Sequence, residues 1–415
     1  MTSPRRLRIA LLTYRGHPHV GGQGVYVYYL SRALTELGHN VEVLAGQPYP
    51  EAPDGVRLTR VPSLDLYDPS DPFRRPAAGD LRGLTNALEY GLVCCGRFPE
   101  PLTFSLRAAR VIEERQADFD VVHDNQCLGY GLLRVNRHVP VVATVHHPIT
   151  VDRRLALAGA PTPRDKARLR RWYGFTRMQG RVARRLPRLL TVSSTSRRDV
   201  TSAFGVPEHR VGVVHNGVDP ELFRPLDGVR RTEGQVIAMV SADLAMKGLV
   251  YLVEALAKIR TERYARLVLV GKGTDAPSIR AAARRYGVEA SIEFVGSVES
   301  LELVDLYARS QVAVVPSLYE GFSFPAVEAM SCGVPLVTTT GGALPEVVGA
   351  DGRTALLVPP GDAGALASAV TRLLDDEPLR NRMARSARER VLERFTWRSA
   401  AESTVDEYES VLRGC

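Results

Sequence analysis

Short apolar runs alternate with helical segments through the second half of the sequence. The predicted strands are Val236–Ser241, Arg266–Val270, Ser291–Val295, Gln311–Val315, Val334–Thr338 and Ala355–Val358. The predicted helices are Gly248–Arg260, Ala276–Tyr286, Ser300–Ser310, Pro325–Cys332, Ala363–Leu374 and a tail from Leu379. Strands separated by helices cannot pair as hairpins, so this alternation predicts a doubly wound parallel sheet.

The first half begins with the same alternation. Arg8–Thr13 reads as a strand, Tyr14–Gly24 as a glycine-rich loop, Val25–Leu37 as a helix and Asn40–Ala45 as the next strand. This order is the beginning of a Rossmann-type unit. Further predicted strands are Val56–Val61, Asp120–His123, Val139–Val145, Leu189–Ser193 and Val211–Val214. Predicted helices between them are Arg82–Cys95, Leu102–Glu114 and Thr195–Ala203. The chain therefore has two predicted Rossmann-like domains.

Length and composition agree with two ordinary globular domains. The chain has 415 residues, of which 45% are hydrophobic and 24% charged, enough for two cores. Its five cysteines show no metal-binding spacing, and their odd number argues against a disulfide framework, so we expect a cytoplasmic protein. No apolar run has the length of a signal-peptide core or a membrane span, so we expect a soluble or peripheral protein.

The stretch Ser317–Pro345 carries the candidate chemistry. It begins with S-L-Y-E-G-F-S-F-P, directly after the predicted strand Gln311–Val315. Glu320 therefore lies beyond the carboxyl end of a strand and beside a helix N-terminus, where α/β sheets bind ligands and phosphates. Glu320 could accept sugar hydroxyls while backbone amides face an anion. Glu328, eight residues further, could reach a second part of the same ligand.

This E-x7-E pattern resembles glycosyltransferase family 4, the retaining GT-B enzymes. The later G-G-x-x-P-E ending at Glu346 and the run H-N-G-V-D from His215 are also similar to that family. The resemblance implies two Rossmann-like domains facing each other across a cleft. It implies an acceptor-binding domain at 1–220, joined by a C-terminal helix at 397–415, and a nucleotide-sugar-binding domain at 221–396. It also implies a retaining, metal-independent reaction without a cofactor.

The resemblance assigns roles to individual residues. Glu320, His146 and Lys247 are the expected catalytic residues. His146 is preferred to His123 and His147 because its T-x-H placement is similar to the active-site histidine of the family. The expected donor-binding residues are Gly21, Gly22, Gly24, Lys247, Glu320, Gly321, Phe322, Ser323, Phe324 and Glu328. Gly21, Gly22 and Gly24 match a loop that closes over the donor diphosphate, although these glycines alone could also form a tight turn.

One family feature is missing. Family members carry an Arg and a Lys five residues apart after the first strand of the second domain. Here Lys247 is present, but Ala242 occupies the position of the Arg. Losing such a cation could raise the reaction barrier by a few kcal/mol. Arg15 and Lys272 are the candidates to replace it at the phosphates.

A strongly basic segment lies in the first half. From Arg153 to Arg198 there are fourteen Arg or Lys residues and one acid, Asp165, within a chain of net charge +8. Residues 164–188 fit an amphipathic helix with one arginine-rich face. Such a face can be merely solvated, or it can contact an anionic membrane at the inner membrane surface. No aromatic stacking platform or reader motif accompanies it, so we expect no nucleic-acid partner.

The sequence predicts an enzyme, a glycosyltransferase that moves a hexose from a nucleotide-diphosphate sugar to an acceptor. That acceptor could be lipid-linked or a small molecule. Two alternatives remain open: a nucleotide-sugar epimerase, and a catalytically degenerate GT-B binding or scaffold protein, for which the missing Arg argues. A glycoside hydrolase is disfavoured because no carboxylate pair flanks a sugar site outside the nucleotide pocket.

Overall fold

The chain folds into two compact units. The structure, a computed structural model, describes residues 5–16, 22–68, 70–71, 74–240 and 246–414. The first unit comprises Met1–Val214 and Ala400–Cys415, and the second comprises His215–Ser399. The sequence-based expectation is a first domain at 1–220 with 397–415 and a second domain at 221–396.

A parallel sheet organises the first unit. Its strands are β1 (Arg8–Thr13), β2 (Asn40–Ala45), β3 (Arg57–Arg60), β4 (Val121–Asn125), β5 (Val141–Thr144), β6 (Arg188–Thr191) and β7 (Val211–Val213). In the described part of the chain these seven strands lie in the order β3-β2-β1-β4-β5-β6-β7. Every pair is parallel.

Helices cover both faces of this sheet. They are α1 (Gly22–Glu36), α2 (Leu84–Cys94), α3 (Glu100–Glu114), α4 (Gly131–Val135), α5 (Ile149–Gly159), α6 (Pro163–Trp172), α7 (Thr176–Ala183) and α8 (Ser194–Phe204). All five residues of β4 are buried, as expected for a parallel strand covered on both faces. One large core cluster packs its apolar side chains against helices α3, α7 and α8.

The second unit has a sheet of the same kind. Its strands are β8 (Gln235–Met239), β9 (Arg266–Val270), β10 (Ile292–Val295), β11 (Val312–Val315), β12 (Leu336–Thr339) and β13 (Ala355–Val358). Among the described residues the six strands lie in the order β10-β9-β8-β11-β12-β13, and all pairs are parallel. The order reverses between β8 and β11, because the chain runs outward to β10 and then returns beside β8.

Seven helices in the described part of the second unit pack around this sheet or follow it. They are α9 (Leu249–Arg260), α10 (Pro277–Arg285), α11 (Ser300–Arg309), α12 (Phe324–Ser331), α13 (Leu344–Val348), α14 (Ala363–Asp375) and α15 (Glu377–Arg394). The last helix, α16 (Trp397–Arg413), belongs to the first unit from Ala400 onward. The predicted fold class, two doubly wound parallel-sheet domains of GT-B type, is confirmed.

Three local predictions were wrong. The basic segment is not one helix: a 3-10 turn at Tyr173–Phe175 divides it into α6 and α7, where Gly174 weakens helical continuity. Helix α1 begins at Gly22 rather than Val25, because glycine is tolerated in a first helical turn whose N–H groups need no intrahelical partner. Helices α4, α5 and α13 were not predicted.

No helix among the described residues combines the length and the apolar character that crossing a bilayer requires.

Candidate active site

The reversal of strand order in the second unit fixes the position of the site. Lys247 follows β8 and Glu320 follows β11, and these two strands are neighbours. The carboxyl ends of parallel strands meet at one edge of a sheet, and the crevice at such a reversal is where doubly wound sheets bind ligands.

Lys247 and Glu320 form an ion pair at this edge. The Lys247 Nζ lies 2.7 Å from Glu320 Oε1, and the Ser317 hydroxyl donates to the same oxygen at 2.7 Å. The two charged side chains are only 15% and 10% exposed. The pair is therefore largely shielded from water, which strengthens its electrostatic interaction.

Backbone contacts bring the two loops together. The Leu318 N–H donates to the Met246 carbonyl at 2.8 Å. Gly248 has φ +66, and a Cβ there would lie 2.0 Å from the Pro316 carbonyl oxygen. Only glycine allows this approach, so the Lys-Gly dipeptide places the ammonium beside the carboxylate.

Two further glycines, Gly341 and Gly342, approach the loop that carries Glu320. The Ala343 N–H donates to the Glu320 carbonyl at 2.8 Å. Cβ atoms at Gly341 and Gly342 would lie 2.5 Å from the Leu318 oxygen and 2.2 Å from the Glu320 oxygen. The G-G-x-x-P-E motif thus holds the loop that carries Glu320.

Helix α12 begins four residues after Glu320. The Ser323 hydroxyl caps it by accepting from the Ala326 N–H at 3.4 Å. Phe322 is buried, and its ring stacks on His215 at a centroid distance of 6.5 Å. Gly321 and Phe324 flank the cap, so the four predicted residues Gly321–Phe324 lie together at this helix start.

Glu328 lies on α12, and one of its carboxylate oxygens has no hydrogen-bond partner among the described residues. This oxygen, Oε2, is buried, although the residue as a whole is partly exposed. Burial raises the pKa of Glu328 to about 7, against the opposing effect of a hydrogen bond with the Tyr307 hydroxyl. A buried carboxylate oxygen without a partner is costly and suits a ligand hydroxyl.

The two candidate replacement cations differ sharply. Lys272 is exposed directly after β9, next to β8, and no described residue forms an ion pair with it. The guanidinium of Arg15 instead makes two contacts with the Glu100 carboxylate, at 2.5 and 2.8 Å. It also lies 5.5 Å from the ring centroids of Tyr67 and Phe98. Arg15 is therefore already paired, whereas Lys272 is available.

In the first unit, the predicted glycines lie where α1 begins. Gly22 and Gly24 belong to the first turn of α1, the helix that follows β1 in the chain. Gly21 and Ala242 lie outside the described residues. The Asn125 amide donates to the Gln23 carbonyl at 3.4 Å, which connects this helix start to the loop after β4.

His146 lies beside that loop, just after β5. The imidazole Nε2 of His146 lies 2.7 Å from Asn125 Oδ1. The backbone N–H of His146 donates to Gln126 Oε1 at 2.7 Å. The Tyr26 ring packs edge-on against the imidazole at 4.5 Å. Burial lowers the pKa of His146 to about 4, so the ring is neutral near pH 7. Since Asn125 Oδ1 can only accept, Nε2 carries the proton and Nδ1 is an acceptor.

The other two histidines have different surroundings. His123 is fully buried, with its ring nitrogens 2.5 Å from the Tyr408 hydroxyl and 2.7 Å from the Thr144 hydroxyl. Burial lowers the pKa of His123 to about 3. His147 contacts Asp152 at 3.1 Å. His123 therefore connects α16 to the sheet as a core residue.

Sequence reasoning missed Asn125, Gln126 and Ser317, which hold the candidate catalytic side chains. A signal existed for the first two, because the polar run H-D-N-Q closes a buried strand at its carboxyl end. Ser317 gave no signal, since a serine after a strand is common. Among the described residues, no group of three or more His, Cys, Asp or Glu could hold a metal ion, and metal independence stays a prediction.

Comparisons with known proteins agree with this geometry. A family model described as Glycosyltransferase Family 4 matches residues 20–222, and one described as Glycosyl transferases group 1 matches residues 227–390. The chain is 49% identical over 408 residues to the MMP alpha-(1->4)-mannosyltransferase of Mycolicibacterium hassiacum, with 98% of each chain covered. It is 31% identical to a D-inositol 3-phosphate glycosyltransferase of Kribbella flavida, with 97% of this chain and 93% of that one covered.

Solved structures share the fold. Sucrose-phosphate synthase from Thermosynechococcus elongatus superimposes with a TM-score of 0.71 at 22% identity, covering 99% of this chain and 100% of that chain. Anabaena HepE in complex with UDP and glucose gives 0.69 at 18% identity, covering 98% and 100%. With a relative 49% identical over nearly the whole chain, the prediction is confirmed: this chain is a glycosyltransferase and belongs to glycosyltransferase family 4.

Proposed function

We propose that this enzyme transfers a mannosyl residue from a nucleoside diphosphate mannose to a glycan hydroxyl, forming an α-(1→4) linkage with retention. The observation that carries the reaction type is the Lys247–Glu320 pair at the strand-order reversal. The sugar and the linkage are inferred from the name of the relative that is 49% identical. An α product from an α-linked donor means retention of configuration.

The donor would bind to the second unit through several groups. The buried Oε2 of Glu328 is suited to accept a ribose hydroxyl, and Glu320 is suited to accept sugar hydroxyls. The N-terminus of α12 offers positive backbone dipoles to the diphosphate. HepE, which shares the fold, was solved with UDP and glucose, which supports a nucleotide-sugar donor here.

Lys247 would both hold Glu320 and bind the leaving phosphate. An ammonium has three donors, so Lys247 can keep Glu320 in place and donate to a departing phosphate oxygen as well. Lys272, at the end of the neighbouring strand β9, is the best-placed described cation to supply the charge that Ala242 does not. In the first unit, the amides at Gly22 and Gly24 are candidates to bind phosphate.

Glu320 and Lys247 act on opposite charges in the transition state. As the bond from the anomeric carbon to the diphosphate oxygen breaks, positive charge grows on the sugar and negative charge on the phosphate. A carboxylate and an ammonium already fixed in a shielded site can stabilise both without reorganisation. The acceptor oxygen forms the new bond and its proton goes to the departing diphosphate. The pKa of His146, lowered to about 4, makes that side chain a poor base for this proton.

His146 would instead position a substrate. With Nε2 donating to Asn125, its Nδ1 can accept a hydrogen bond from a sugar hydroxyl. This orientation helps the acceptor or the donor sugar to reach a reactive geometry.

The epimerase and binding-only alternatives are not favoured. The ion pair is in place, and the relative that is 49% identical over 98% of both chains is named as a transferase. Peripheral contact with anionic membranes through residues 164–188 stays a proposal, supported by the exposed arginines of α6 and α7.

Thermal denaturation with UDP, GDP, ADP and their mannose conjugates tests the donor. A ligand at 100 times its Kd adds about 2.7 kcal/mol to the stability of the native state. We expect one base to raise the midpoint selectively and Glu328→Ala to abolish the shift. Transfer is then tested with that donor and α-mannoside acceptors. If no nucleotide shifts the midpoint, the proposal fails and the binding site is not a nucleotide site.

A further inference from the structure

An arginine-lined cavity, separate from the Lys247–Glu320 site, lies within the first unit. It is open to solvent, with a volume of about 700 Å³ between the start of α3 and the helices α5, α6 and α7. Its volume is in the range of small-molecule sites in proteins. Six arginines line it: Arg97, Arg153, Arg170, Arg171, Arg177 and Arg181.

The charges of these arginines are not compensated. In the part of the chain that the structure describes, none of the six forms an ion pair with a carboxylate. The nearby acids are engaged elsewhere: Glu100 with Arg15 and Asp152 with His147. Arg153 Nε is buried and has no hydrogen-bond partner among the described residues. Six like charges around one cavity create a strong field that attracts an anion.

Hydrogen bonds and a ring contact order parts of the cavity wall. Arg181 donates to the Tyr130 hydroxyl at 3.0 Å, and the Tyr67 hydroxyl donates to the Arg97 carbonyl at 3.2 Å. The rings of Phe98 and Phe175, also in the lining, have centroids 5.3 Å apart. The walls thus combine fixed aromatic surface with guanidinium groups.

We propose that this cavity binds a phosphate ester. A guanidinium presents paired N–H donors that match two phosphate oxygens, and it is the preferred side chain for phosphate recognition. Six arginines supply far more charge than one carboxylate requires, whereas a phosphate ester carries up to two negative charges. The aromatic rings provide contact for the organic body of the ester. The ester can be a soluble sugar phosphate or the head group of a lipid.

The position of the cavity connects it to the site of transfer. Helix α7, which carries Arg177 and Arg181, also carries Gln179. The Gln179 amide donates to the Gln126 and Cys127 carbonyls, both at 3.3 Å. The side-chain oxygen of Gln126 in turn accepts from the backbone N–H of His146 at 2.7 Å. We assign the bound ester to the acceptor or its carrier, an assignment that rests on the proposed function.

Binding is measured without any donor, so its outcome is independent of the transfer reaction. The probes are mannose 6-phosphate, with mannose as its uncharged control, and phosphatidylglycerol vesicles, with phosphatidylcholine vesicles as theirs. The full-length protein is titrated at low and at moderate salt. Arg170→Gln/Arg171→Gln removes two lining charges, and Arg164→Gln/Arg168→Gln removes two charges of the same helix that do not line the cavity.

We expect a charged probe to bind and the cavity double variant to weaken it at least about tenfold, the loss expected for charged hydrogen bonds. The control variant should stay within about twofold of the wild type, as surface charges outside the lining contribute little. Binding of mannose 6-phosphate identifies a soluble ester, and binding of anionic vesicles alone identifies a lipid head group. Equal losses in both double variants would show diffuse charge attraction and overturn the proposal, as would no binding of either probe. Neither failure would affect the donor-binding result.

Discussion

Lys247 Nζ lies 2.7 Å from Glu320 Oε1, across the point where strand order in the second sheet reverses. The lysine follows the first strand of that unit and the glutamate follows the fourth, so 73 residues separate them in the chain. Their meeting depends on close backbone approach at Gly248 and Gly342, where a Cβ would collide with carbonyl oxygens. Under the proposed function the pair couples stability to catalysis, because each buried charge is stabilised by the other.

Replacing the lysine should therefore cost stability as well as activity. Lys247→Met leaves the Glu320 charge shielded from water without its cation, which should lower the free energy of unfolding by about 1–3 kcal/mol. The exposed Lys272→Met should leave stability within about 0.5 kcal/mol of wild type while weakening donor binding. Urea denaturation of both variants checks the contrast. Equal stabilities would show that the ion pair contributes nothing.

Removing the charge of Glu320 should affect the chemical step most. Glu320→Gln keeps the size of the side chain and one acceptor oxygen but removes the negative charge proposed to face the anomeric carbon. We expect kcat to fall about a hundredfold or more, as for other preorganised electrostatic groups, with a much smaller change in KM. Glu302→Gln, an exposed residue of α11, serves as the matched control. A loss confined to KM would assign Glu320 to ground-state binding alone.

Glu328 should make stability depend on pH. Its pKa is raised to about 7 by burial, so the stability contributed by the protonated form is lost as pH rises from about 4.5 through 7. Glu328→Gln does not ionise, so its stability does not fall with pH at this position. The variant should match the wild type near pH 5 and have the higher thermal midpoint at pH 8, while binding nucleotide less tightly.

The pKa of Asp124 is also raised to about 7 by burial, but that group is present in both proteins and cancels in the comparison. If the difference in midpoint between wild type and Glu328→Gln is constant from pH 5 to pH 8, the Glu328 carboxylate is not desolvated as described.

His146 and His123 should separate activity from stability. His146→Ala should reduce kcat about tenfold or more with little change in stability, the scale expected for a positioning group. His123→Ala removes a buried ring with two hydrogen-bond partners and should cost about 2–4 kcal/mol of unfolding free energy. Because the pKa of His146 is lowered to about 4, no titration of this residue should appear in kcat between pH 5.5 and 9. An inflection near pH 6.5 that His146→Gln abolishes would contradict this assignment.

Gly342→Ala tests the support behind Glu320. Its Cβ would lie 2.2 Å from the Glu320 carbonyl oxygen at φ +65, so the loop must shift. Gly287→Ala is the matched control, with φ +68 and no atom within 4 Å of its Cβ. We expect the control to lose about 1 kcal/mol of stability from backbone strain and to keep its activity. Gly342→Ala should lose more stability and most of its kcat. Equal effects of the two variants would rule out a supporting role for this contact.

Much of the fold could be read from apolar runs. Strands β1, β2, β9 and β13 have the predicted bounds, because each is a short apolar run ended by a polar residue, glycine or proline. The basic segment was harder: its arginines and apolar residues fit one helical wheel, but Gly174 lies at a break that periodicity does not reveal. Helices as short as α4 and α13 carry too few turns for a periodic signal.

The candidate site was predictable only in part. Glu320, Glu328, Lys247 and His146 lie in motifs or follow strands, so position along the chain was enough to propose them as site residues. The partners that hold them were not, because Asn125, Gln126 and Ser317 meet their targets through tertiary contacts. The sequence also could not show that Arg15 is already paired with Glu100, 85 residues away.

The stereochemistry and donor of the reaction test the central claim most directly. The enzyme is incubated with nucleoside diphosphate α-mannose and a short α-mannoside acceptor, and the anomeric proton and carbon signals of the product are recorded by NMR. Our account predicts release of the nucleoside diphosphate and a new α-(1→4)-linked mannosyl residue, absent with Glu320→Gln. A β-linked product, or no consumption of any nucleoside diphosphate mannose, would contradict it.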